Sequence, residues 1–537
     1  MRSKKDNALF LLVIFLFPFA SCTRRVIPTE KVPVKPEEFR LPHVPYTWVK
    51  KEISVRVGLG EFDELVLMLE DTFYIYEGNT LKYQGTKSPL IVSIYKTKPA
   101  QFYYYVSYGD FETMSQALAK ARDVSNGGIK VKVKEIGKVF KTNSGQLSTI
   151  SYLVYQGPFE SQSEAIKNSN SLRKTIFKEI KSPPHGVFKL KFSDKSYEST
   201  DIIRIVSKAP IKIINFRKKD HYTGRTAQRP FLVTGILEIR PSNEGKILAI
   251  NELSLETYVE GVLKGEVPLS FPQEALKAQS VAARTNALSS LGKKLSIYHE
   301  PYDVTADIFT QNFEGFNDNA YLKSIVDATR GEVLTYNGKA IQVFYFSSCG
   351  GSLASSQEIF GKELDYYRAR KDDYRRPENL YLYDDSQVRR FIDSNPISSS
   401  CEYGGNKYYR WERVISSYEL SQNIKNKLGK DLGEIIDVKV TKRGPSGRAQ
   451  VVFIEGRKSS TFVEGDLEIR KALDKNLLPS SLFYIENFGS QFVIRGAGFG
   501  HGVGMCQYGA AGLASKGKTY REILQFYYPG TKIEKIY

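Results

Sequence analysis

A glutamate near the middle of the chain stands where two helices are predicted to meet. Glu266 ends an apolar-periodic stretch that begins at Leu255, and Pro268 two residues later cannot continue a helix. A helix should therefore end at Glu266, where the negative end of its dipole would raise the pKa of the carboxyl group. A carboxyl group that stays protonated near neutral pH suits general acid catalysis on a glycosidic oxygen. A solvated residue at a helix end is the alternative that position alone leaves open.

An alanine-rich helix is predicted just beyond this joint. Ser270 and Gln273 have the spacing of a capping box, which would make Ser270 the N-cap and place Pro272 in the first turn. The small side chains of this helix would allow close packing against its neighbours. They are Ala275, Ala278, Ala282 and Ala283. Such a corner would hold Glu266 rigidly.

The stretch 255–291 resembles the central motif of the SpoIID/LytB family, which comprises sporulation-type peptidoglycan lytic transglycosylases and their amidase-enhancer relatives. In this resemblance the family's catalytic glutamate falls on Glu266. Further motifs similar to those of the family follow in order within about 236–536. They lie at 302–304, 310–311, 328–334, 344–351 and 498–510, with a closing helix from Tyr520. Five motifs in order make the resemblance specific.

The resemblance implies a lytic transglycosylase that cleaves MurNAc–GlcNAc β-1,4 bonds of peptide-stripped glycan strands and leaves 1,6-anhydro-MurNAc ends. Glu266 would act first as acid and then as base. Arg284, Gln311 and Tyr345 would position substrate, with Arg284 suited to a lactyl carboxylate. A hydrolase would need a second carboxylate, for which Asp303 and Asp307 are the only nearby candidates in sequence.

Two other classes of protein remain as alternatives. The same family includes enhancers that bind and stimulate an N-acetylmuramoyl-L-alanine amidase without catalysis of their own. A glycan-binding envelope scaffold is the third reading. Turnover by the purified chain alone would separate the enzyme from both.

Alternating glycines surround His501 near the end of the chain. They permit positive φ angles and close backbone approach to a ligand or to another strand. Their spacing does not match a dinucleotide-binding fingerprint. His501 is a candidate to line the glycan cleft, and a histidine bonded beneath the loop is the alternative.

We expect no metal and no cofactor. Some relatives carry a Cys/His zinc cluster between the second motif helix and the glutamine that follows it, here Gln311. In this chain Thr305, Phe309 and Thr310 stand where the zinc ligands would be, and His299 alone does not make a zinc site. Phe346 likewise stands where many relatives have a histidine.

Three cysteines lie in the C-terminal half. The resemblance implies a Cys349–Cys401 disulfide, because some family members show a Cys-Gly-Gly followed by a later cysteine before a tryptophan. Cys506 would then be a free, buried thiol.

The formal net charge of +18 favours polyanionic partners. No zinc-finger, helix-turn-helix or RNP signature is present, so we expect no nucleic-acid partner. Peptidoglycan glycan strands, with their lactyl carboxylates, fit this charge, and an amidase is a further candidate partner.

The first residues form a targeting segment. A basic start precedes an apolar run from Ala8 to Ala20 that is too short to span a bilayer, and it ends in a sequence similar to a bacterial lipobox. Cys22 would become the lipidated first residue; an ordinary signal peptide with a chance cysteine is the alternative. We expect a lipid-anchored envelope protein. It would lie on the periplasmic face of the outer membrane if the cell has two membranes, and otherwise on the outer face of the cytoplasmic membrane.

The chain is expected to be α+β, with mixed sheets and packed helices. A weak repeat of strand, Gly-x-Phe turn and helix resembles a SPOR module, a ferredoxin-like βαββαβ unit that binds glycan strands; a module with only a packing role is the alternative. The sequence leaves open whether this module is inserted or separate. The expected divisions are a lipoprotein signal peptide (1–21), a flexible tether (22–50), N-terminal strands of the SpoIID-like region (51–98), a SPOR-like module (99–182) and a SpoIID-like catalytic domain (183–537).

Overall fold

The computed structural model describes residues 29–30, 53–142, 145–168, 175–219, 226–293, 300–307, 310–394 and 399–537. The predicted signal peptide and Cys22 lie outside the described residues, as does the tether apart from a two-residue strand, Thr29–Glu30. The described chain mixes helices with several sheets, which confirms the α+β class.

Eleven α-helices occur in the described residues, numbered here in chain order. They are α1 (Met114–Asn126), α2 (Gln162–Asn168), α3 (Leu255–Glu266), α4 (Gln273–Ser290), α5 (Ala320–Ala328), α6 (Ser356–Phe360), α7 (Asp385–Asp393), α8 (Ser417–Leu428), α9 (Asp466–Leu473), α10 (Gln507–Ser515) and α11 (Tyr520–Tyr527). A 3₁₀ segment lies at Ser400–Gly405.

Two large sheets share one hydrophobic core with α3 and α4. The seven-stranded sheet has the order Val304–Thr305, Ser54–Phe62, Ile247–Ser254, Ile236–Pro241, Ile203–Ser207, Phe73–Glu77, Thr80–Gly85. The six-stranded sheet has the order Ser196–Ser199, His185–Lys191, Ser88–Lys98, Glu64–Leu69, Ile211–Ile213, Phe231–Val233. Strands from before and after the proposed SPOR-like module therefore belong to the same sheets.

The intervening unit leaves and re-enters the six-stranded sheet at neighbouring strands. Ser88–Lys98 precedes the unit, His185–Lys191 follows it, and these two strands pair antiparallel. The unit is thus inserted between adjacent strands, a point that the sequence left open. Within its own sheet the elements follow the order βαββαβ around α1 and α2, and the hairpin Val139–Thr142 and Gly145–Ser148 between the second and third of these strands pairs in another sheet. Its antiparallel sheet runs Lys132–Ile136, Ser151–Phe159, Gln101–Phe111, Thr175–Ser182, with Thr29–Glu30 added beside the first of these. Its identity as a SPOR module stays a prediction.

The C-terminal half adds a second hydrophobic core between α8, α9 and two three-stranded sheets. One sheet comprises Ile435–Arg443, Ala449–Gly456 and Ser460–Glu464, and the other Trp411–Ser416, Gln491–Gly496 and Phe483–Asn487. A five-stranded sheet joins the halves of the chain: Lys532–Lys535, Glu332–Tyr336, Lys339–Ala340, Gly145–Ser148, Val139–Thr142. Three two-stranded pairs complete the set: Arg217–Lys219 with Thr226–Gln228, Tyr345–Phe346 with Met505–Cys506, and Ser352–Leu353 with Arg370–Lys371.

The predicted N-cap of α4 is wrong. Pro272 occupies the N-cap position without a side-chain hydrogen bond, and the helix begins at Gln273. Ser270 lies instead in a turn in which the Phe271 N–H donates to the Pro268 carbonyl at 3.0 Å. The proline's extended ψ of 144° ends this turn and starts the helix, so Ser270 lies two residues before the N-cap position and cannot cap it. The alanines of α4 are fully or nearly fully buried, as predicted.

Among the described residues, no helix combines the length and apolar character that crossing a membrane would require.

Candidate active site

Helix α3 ends at Glu266, as the sequence predicted. Ser254 caps its start by accepting a hydrogen bond from the Thr257 N–H. Val267 has extended angles (φ −135°, ψ 146°), which is the conformation that a following proline imposes. The Glu266 carboxyl group is therefore carried on the last turn of a helix whose other face is buried.

A clamp formed by Asn312 holds the Glu266 carboxyl group. The Asn312 N–H donates to Glu266 Oε1 at 2.6 Å, and Asn312 Nδ2 donates to the Gly265 carbonyl at 2.6 Å. Lys218 Nζ in turn donates to Asn312 Oδ1 at 2.5 Å and to Glu314 Oε1 at 2.6 Å. The glutamate is half-buried, and its orientation is determined by a segment almost fifty residues away in sequence.

Two glycines of α3 allow this segment to approach. A Cβ on Gly265 would lie 2.0 Å from the Asn312 carbonyl oxygen, and one on Gly261 would lie 2.4 Å from the Phe313 ring. Backbone carbonyls cannot move aside as a flexible side chain can. The glycine spacing of four residues therefore places one bare stripe of α3 against 311–315.

Replacing Gly265 with alanine should separate the clamp from the glutamate. We expect the free energy of unfolding to fall by about 1–3 kcal/mol, since an added methyl group must displace packed backbone. Thermal unfolding of the purified chain measures this loss. Gly127→Ala is the matched control, because its Cβ would meet no atom nearer than 3.3 Å. Equal, small changes in both variants would contradict the packing argument.

The pKa of the Glu266 carboxyl group is raised above its usual range. Burial is the largest cause, and it outweighs the hydrogen bond from the Asn312 N–H, the nearby polar side chains of Gln507 and Tyr345 and the positive charge of Lys218, all of which act in the opposite direction. The direction agrees with the sequence-based expectation, but the main cause is loss of hydration rather than the helix dipole.

Gln311 and Tyr345 lie beside Glu266, where the family resemblance placed substrate-positioning groups. The Tyr345 hydroxyl donates to Gln311 Oε1 at 2.8 Å and is also within hydrogen-bond reach of the Glu266 carboxyl group. Gln311 is buried, and its Nε2 donates to the Tyr258 hydroxyl and the Ala283 carbonyl at 3.2 and 3.3 Å. Gln311 therefore orients Tyr345, and Tyr345 is the member of the pair that faces the carboxyl group.

Gln507 is a site residue that the sequence reasoning missed. It begins α10 and lies close enough to Glu266 to lower the pKa of that carboxyl group. Its buried Nε2 has no hydrogen-bond partner among the described residues. A sequence signal was present, because Gln507 lies three residues after the last glycine of the run at 498–504, but only the fold shows that the chain reaches Glu266 at this point. Asn312 and Lys218 were missed for the same reason.

Arg284 is not placed to contact substrate. It is fully buried, and it forms a bidentate ion pair with Glu256, with Nε–Oε1 and Nη2–Oε2 distances of 2.9 and 2.6 Å. Its Nη1 donates to the Glu332 carbonyl at 3.1 Å. The expectation of a role on the lactyl carboxylate is corrected: the guanidinium already has a carboxylate partner, inside the protein, and it ties α3 to α4.

His501 lies beneath the glycine loop in an aromatic cluster. Its ring centroid is 6.0 Å from Phe344, 5.3 Å from Phe346 and 5.4 Å from Phe360, and its Nδ1 accepts from the Val503 N–H at 3.1 Å. Burial lowers its pKa to about 4, so the ring is neutral at pH 7. These contacts match the alternative of a histidine that supports the loop.

The glycine run approaches another strand. Gly498, Gly500, Gly502 and Gly504 all have positive φ. A Cβ on Gly504 would lie 2.0 Å from the Phe344 carbonyl oxygen, and one on Gly498 would lie 2.7 Å from the Ser348 carbonyl oxygen. Backbone therefore packs on backbone here. This contact pairs Tyr345–Phe346 with Met505–Cys506 and brings Gln507 to the site.

The acids near the site in sequence are occupied elsewhere. Asp303 is buried and accepts from the backbone N–H groups of Arg56 and Gly292 at 3.1 and 2.8 Å. Asp307 accepts from the Thr305 hydroxyl at 2.7 Å. Glu314 pairs with Lys218 and Arg229; burial opposes the shift, but these hydrogen bonds and charges lower its pKa.

Two of the residues that stand at the zinc-ligand positions of some relatives are described. Thr305 and Thr310 bond to each other, with their hydroxyl oxygens 3.1 Å apart. His299 and Phe309 lie outside the described residues.

The expected Cys349–Cys401 disulfide is corrected by the structure. All three of Cys349, Cys401 and Cys506 are free and buried thiols. The reason is geometric: Cys506 is brought to the same place, and its Sγ lies 3.4 Å from Cys401 Sγ. Three cysteine sulfurs therefore lie close together at the place where the resemblance implied a disulfide between two.

Comparisons with known proteins cover the part of the chain that contains this site. The family model described as Stage II sporulation protein matches residues 243–336, and one described as a domain of unknown function, DUF8618, matches 309–504. Together they include Glu266, Asn312, Tyr345, Cys349 and Cys401, and they end two residues before Cys506.

Three curated relatives align over about 300 residues. An uncharacterized protein of Brachyspira hyodysenteriae is 32% identical over 56% of this chain and 71% of its own length. The stage II sporulation protein D of Bacillus subtilis is 27% identical over 53% of this chain and 76% of its own. The amidase enhancer of the same organism is 29% identical over 51% of this chain, but only 40% of its own length is covered. The chain belongs to the SpoIID/LytB family.

Proposed function

We propose that the chain is a lytic transglycosylase that cleaves MurNAc–GlcNAc β-1,4 bonds of peptidoglycan. The observation that carries this proposal is the half-buried Glu266 carboxyl group, oriented by the Asn312 N–H and with its pKa raised by burial. Such a group keeps its proton to higher pH than a solvated glutamate does and can deliver it to a leaving oxygen. Family membership supports a cell-wall substrate.

The reaction uses one side chain twice. Protonated Glu266 gives its proton to the glycosidic oxygen as the bond to the MurNAc anomeric carbon breaks. The resulting carboxylate takes the proton from the MurNAc C6 hydroxyl, whose oxygen attacks the anomeric carbon. The product has a 1,6-anhydro end, no water is consumed, and Glu266 is protonated again.

Two neighbouring groups support the carboxylate between these steps. The Asn312 N–H already donates to it, and the Tyr345 hydroxyl is within reach. Gln507 offers a buried Nε2 that has no partner among the described residues, and an incoming sugar hydroxyl or acetamido carbonyl would satisfy it. Hydrolysis usually needs a second carboxylate. Among the described residues, Glu314 is the carboxylate next to the Asn312 clamp, and Lys218 and Arg229 already pair with it.

The pH profile should show the raised pKa directly. The reaction starts from protonated Glu266, so kcat/KM falls as pH rises through the pKa of this group. Because that pKa is raised, the basic limb should lie above the value of about 4.3 for an unperturbed glutamate. Tyr345→Phe removes a hydrogen bond that lowers this pKa, so the limb should move to higher pH.

Tyr508→Phe is the matched control for this shift. Tyr508 belongs to α10 and packs edge-on against Phe271 at 5.2 Å, so its aromatic ring is retained in the variant. Its profile should coincide with that of the unchanged chain. A limb that stays in place in Tyr345→Phe, or moves to lower pH, would contradict the assignment.

Turnover by the purified chain alone tests the proposal. Intact and peptide-stripped glycan strands are digested without any amidase, and mass spectrometry identifies the new chain ends. Anhydro-muramoyl ends support the transglycosylase, and the substrate comparison shows whether peptide removal is required. No new ends on either substrate would refute it.

An amidase enhancer is the second candidate, favoured by the relative of that name. Under this alternative the chain releases no ends by itself but increases stem-peptide release by an added N-acetylmuramoyl-L-alanine amidase. Retention of the amidase on immobilised chain separates this role from a passive scaffold.

We further propose an envelope location with lipid attachment at Cys22, and glycan-strand binding by the inserted βαββαβ unit. Lysines lie over aromatic rings of this unit, with Lys178 Nζ 4.3 Å from the Phe102 centroid and Lys181 Nζ 4.8 Å from the Tyr103 centroid. Such pairs offer sugars a flat face beside a positive charge.

A further inference from the structure

Four side chains that could ligate a metal converge in the interior of the C-terminal half. Cys349, Asp372, Cys401 and Cys506 come from separate segments, and all four are at most 1% exposed. One ligand atom from each lies within 4.8 Å of every other. No part of the proposed glycan chemistry uses these residues.

We propose that Cys349, Asp372, Cys401 and Cys506 bind one zinc ion as three thiolates and a carboxylate. Structural zinc sites are tetrahedral with four such ligands, at about 2.3 Å for sulfur and 2.0–2.2 Å for oxygen. Two sulfurs on one tetrahedral ion then lie about 3.8 Å apart. Cys401 Sγ and Cys506 Sγ are 3.4 Å apart, so the ligands need only small side-chain adjustments.

N–H groups donate hydrogen bonds to the sulfurs, as such groups do to the ligands of metal sites. Each of the three sulfurs accepts from at least one N–H group of the protein. The donors are the Cys349 and Gly509 N–H groups to Cys506 Sγ, both at 3.2 Å, the Gly351 N–H to Cys349 Sγ at 3.3 Å, and Asn406 Nδ2 to Cys401 Sγ at 3.7 Å. Such donors stabilise negative charge on sulfur.

Asp372 gives an independent reason for a cation. Its carboxyl group is buried and accepts from the Tyr527 hydroxyl at 2.8 Å, the Ser399 hydroxyl at 3.2 Å and the Cys401 N–H at 3.1 Å. Among the described residues no cation forms an ion pair with it: Arg370 is close enough to interact with its charge, but the Arg370 guanidinium lies over the Phe526 ring, 4.4 Å from its centroid. A buried carboxylate is costly unless a charge or metal compensates it.

Other occupants of this position fit less well. A disulfide between any two of the sulfurs would leave the third thiol and the buried Asp372 without a partner. An iron–sulfur cluster distributes its cysteines over several iron atoms, whereas these four ligand atoms enclose a space for one ion. The set is rich in soft sulfur, and its closed, buried character is that of a structural zinc site.

The metal would hold together the segments that carry Tyr345 and Gln507 beside Glu266. Cys506 pairs with Phe346, the residue after Tyr345, and it immediately precedes Gln507. Cys349 lies in the same segment as Phe346, and Cys401 is the second residue of the 3₁₀ segment. Helix α10 packs so closely against that segment that a Cβ on Gly512 would lie 2.0 Å from the Ser400 carbonyl oxygen. The sequence analysis expected no metal, on the basis of the residues in the region 299–311, and the proposed site lies outside that region.

Metal analysis of the purified mature chain tests the inference. We expect one zinc per chain, and cobalt exchanged into the site should show the sulfur-to-cobalt charge-transfer and visible bands of a tetrahedral thiolate complex. Because a cysteine variant could fail to fold, this cobalt spectrum of the unchanged chain is the first readout. Its X-ray absorption spectrum should count three sulfurs and one oxygen.

Asp372→Asn and Asp373→Asn form the matched pair of variants. Asp372→Asn should bind zinc at least ten-fold more weakly. Asp373→Asn should bind zinc normally, because the Asp373 carboxylate accepts from the backbone N–H groups of Arg375 and Arg376 instead. Metal-free chain with a disulfide, or with three thiols that react only after unfolding, would overturn the inference. Equal zinc retention in both variants, or a cobalt spectrum without sulfur bands, would also overturn it.

Discussion

Glu266→Gln should remove strand cleavage while leaving the fold intact. The amide keeps the shape of the side chain and can still accept from the Asn312 N–H, but it has no proton of suitable acidity to donate. General acid catalysis contributes about 10²- to 10⁴-fold, so we expect a loss of at least that size in kcat with little change in KM. The rate of release of new chain ends from glycan strands is the measurement.

Glu260→Gln is the control for this result. Glu260 lies on the same helix, and burial raises its pKa to about 7, yet it lines a separate cavity of about 260 Å³. Other lining residues of that cavity are Thr234, Ser254, Thr257, Lys323 and Arg330. Cleavage should survive in Glu260→Gln. A Glu266→Gln chain that cuts within a few-fold of the unchanged rate would refute the assigned role.

Arg284→Met should destabilise the chain rather than weaken substrate binding. The substitution leaves Glu256 buried and without its bidentate partner. Removing one member of a buried ion pair costs about 3–5 kcal/mol, so the free energy of unfolding should fall by that amount. Denaturant unfolding of both chains gives the difference.

Two further variants distinguish a structural role of Arg284 from a role in substrate binding. Replacing both partners, as Arg284→Met with Glu256→Leu, should restore much of the loss, because no buried charge then remains. Arg330→Met removes an exposed i,i+3 pair with Asp327 and should cost less than about 1 kcal/mol. Normal stability with a raised KM in Arg284→Met would contradict the structural role and support a role of this arginine in glycan binding.

The sequence predicts the position of Glu266 well because the relevant rules are local. Pro268 ends the helix, and the residue before a proline adopts extended angles, as Val267 does. The raised pKa was expected from the helix dipole, yet burial is the larger cause. Burial depends on the segment around Asn312, which no local pattern connects to α3.

Arg284 shows the converse difficulty. From the sequence alone, an arginine on a helix could bind substrate or form an ion pair. Only the fold shows that Arg284 on α4 pairs with Glu256 on α3. Gln507 and the cluster of three thiols with Asp372 were missed for a related reason. Their members are more than 20 residues apart in sequence, so spacing rules for metal ligands do not apply to them.

The fold class followed from patterns of period two and 3.6, and the described strands and helices confirm it. The insertion of the βαββαβ unit could not be predicted in this way. It depends on the pairing of Ser88–Lys98 with His185–Lys191 across the intervening unit. Strand pairing over such a distance is a property of the sheet and leaves no local signal.

Digestion of glycan strands in water enriched in the heavy oxygen isotope tests the central claim most directly. If Glu266 acts as both acid and base on the MurNAc C6 hydroxyl, the new ends are anhydro-muramoyl and carry no heavy oxygen, and Glu266→Gln yields none. Reducing ends that carry one heavy oxygen would contradict the account. They would show that water attacks, and they would make Glu314 the first residue to examine as its base.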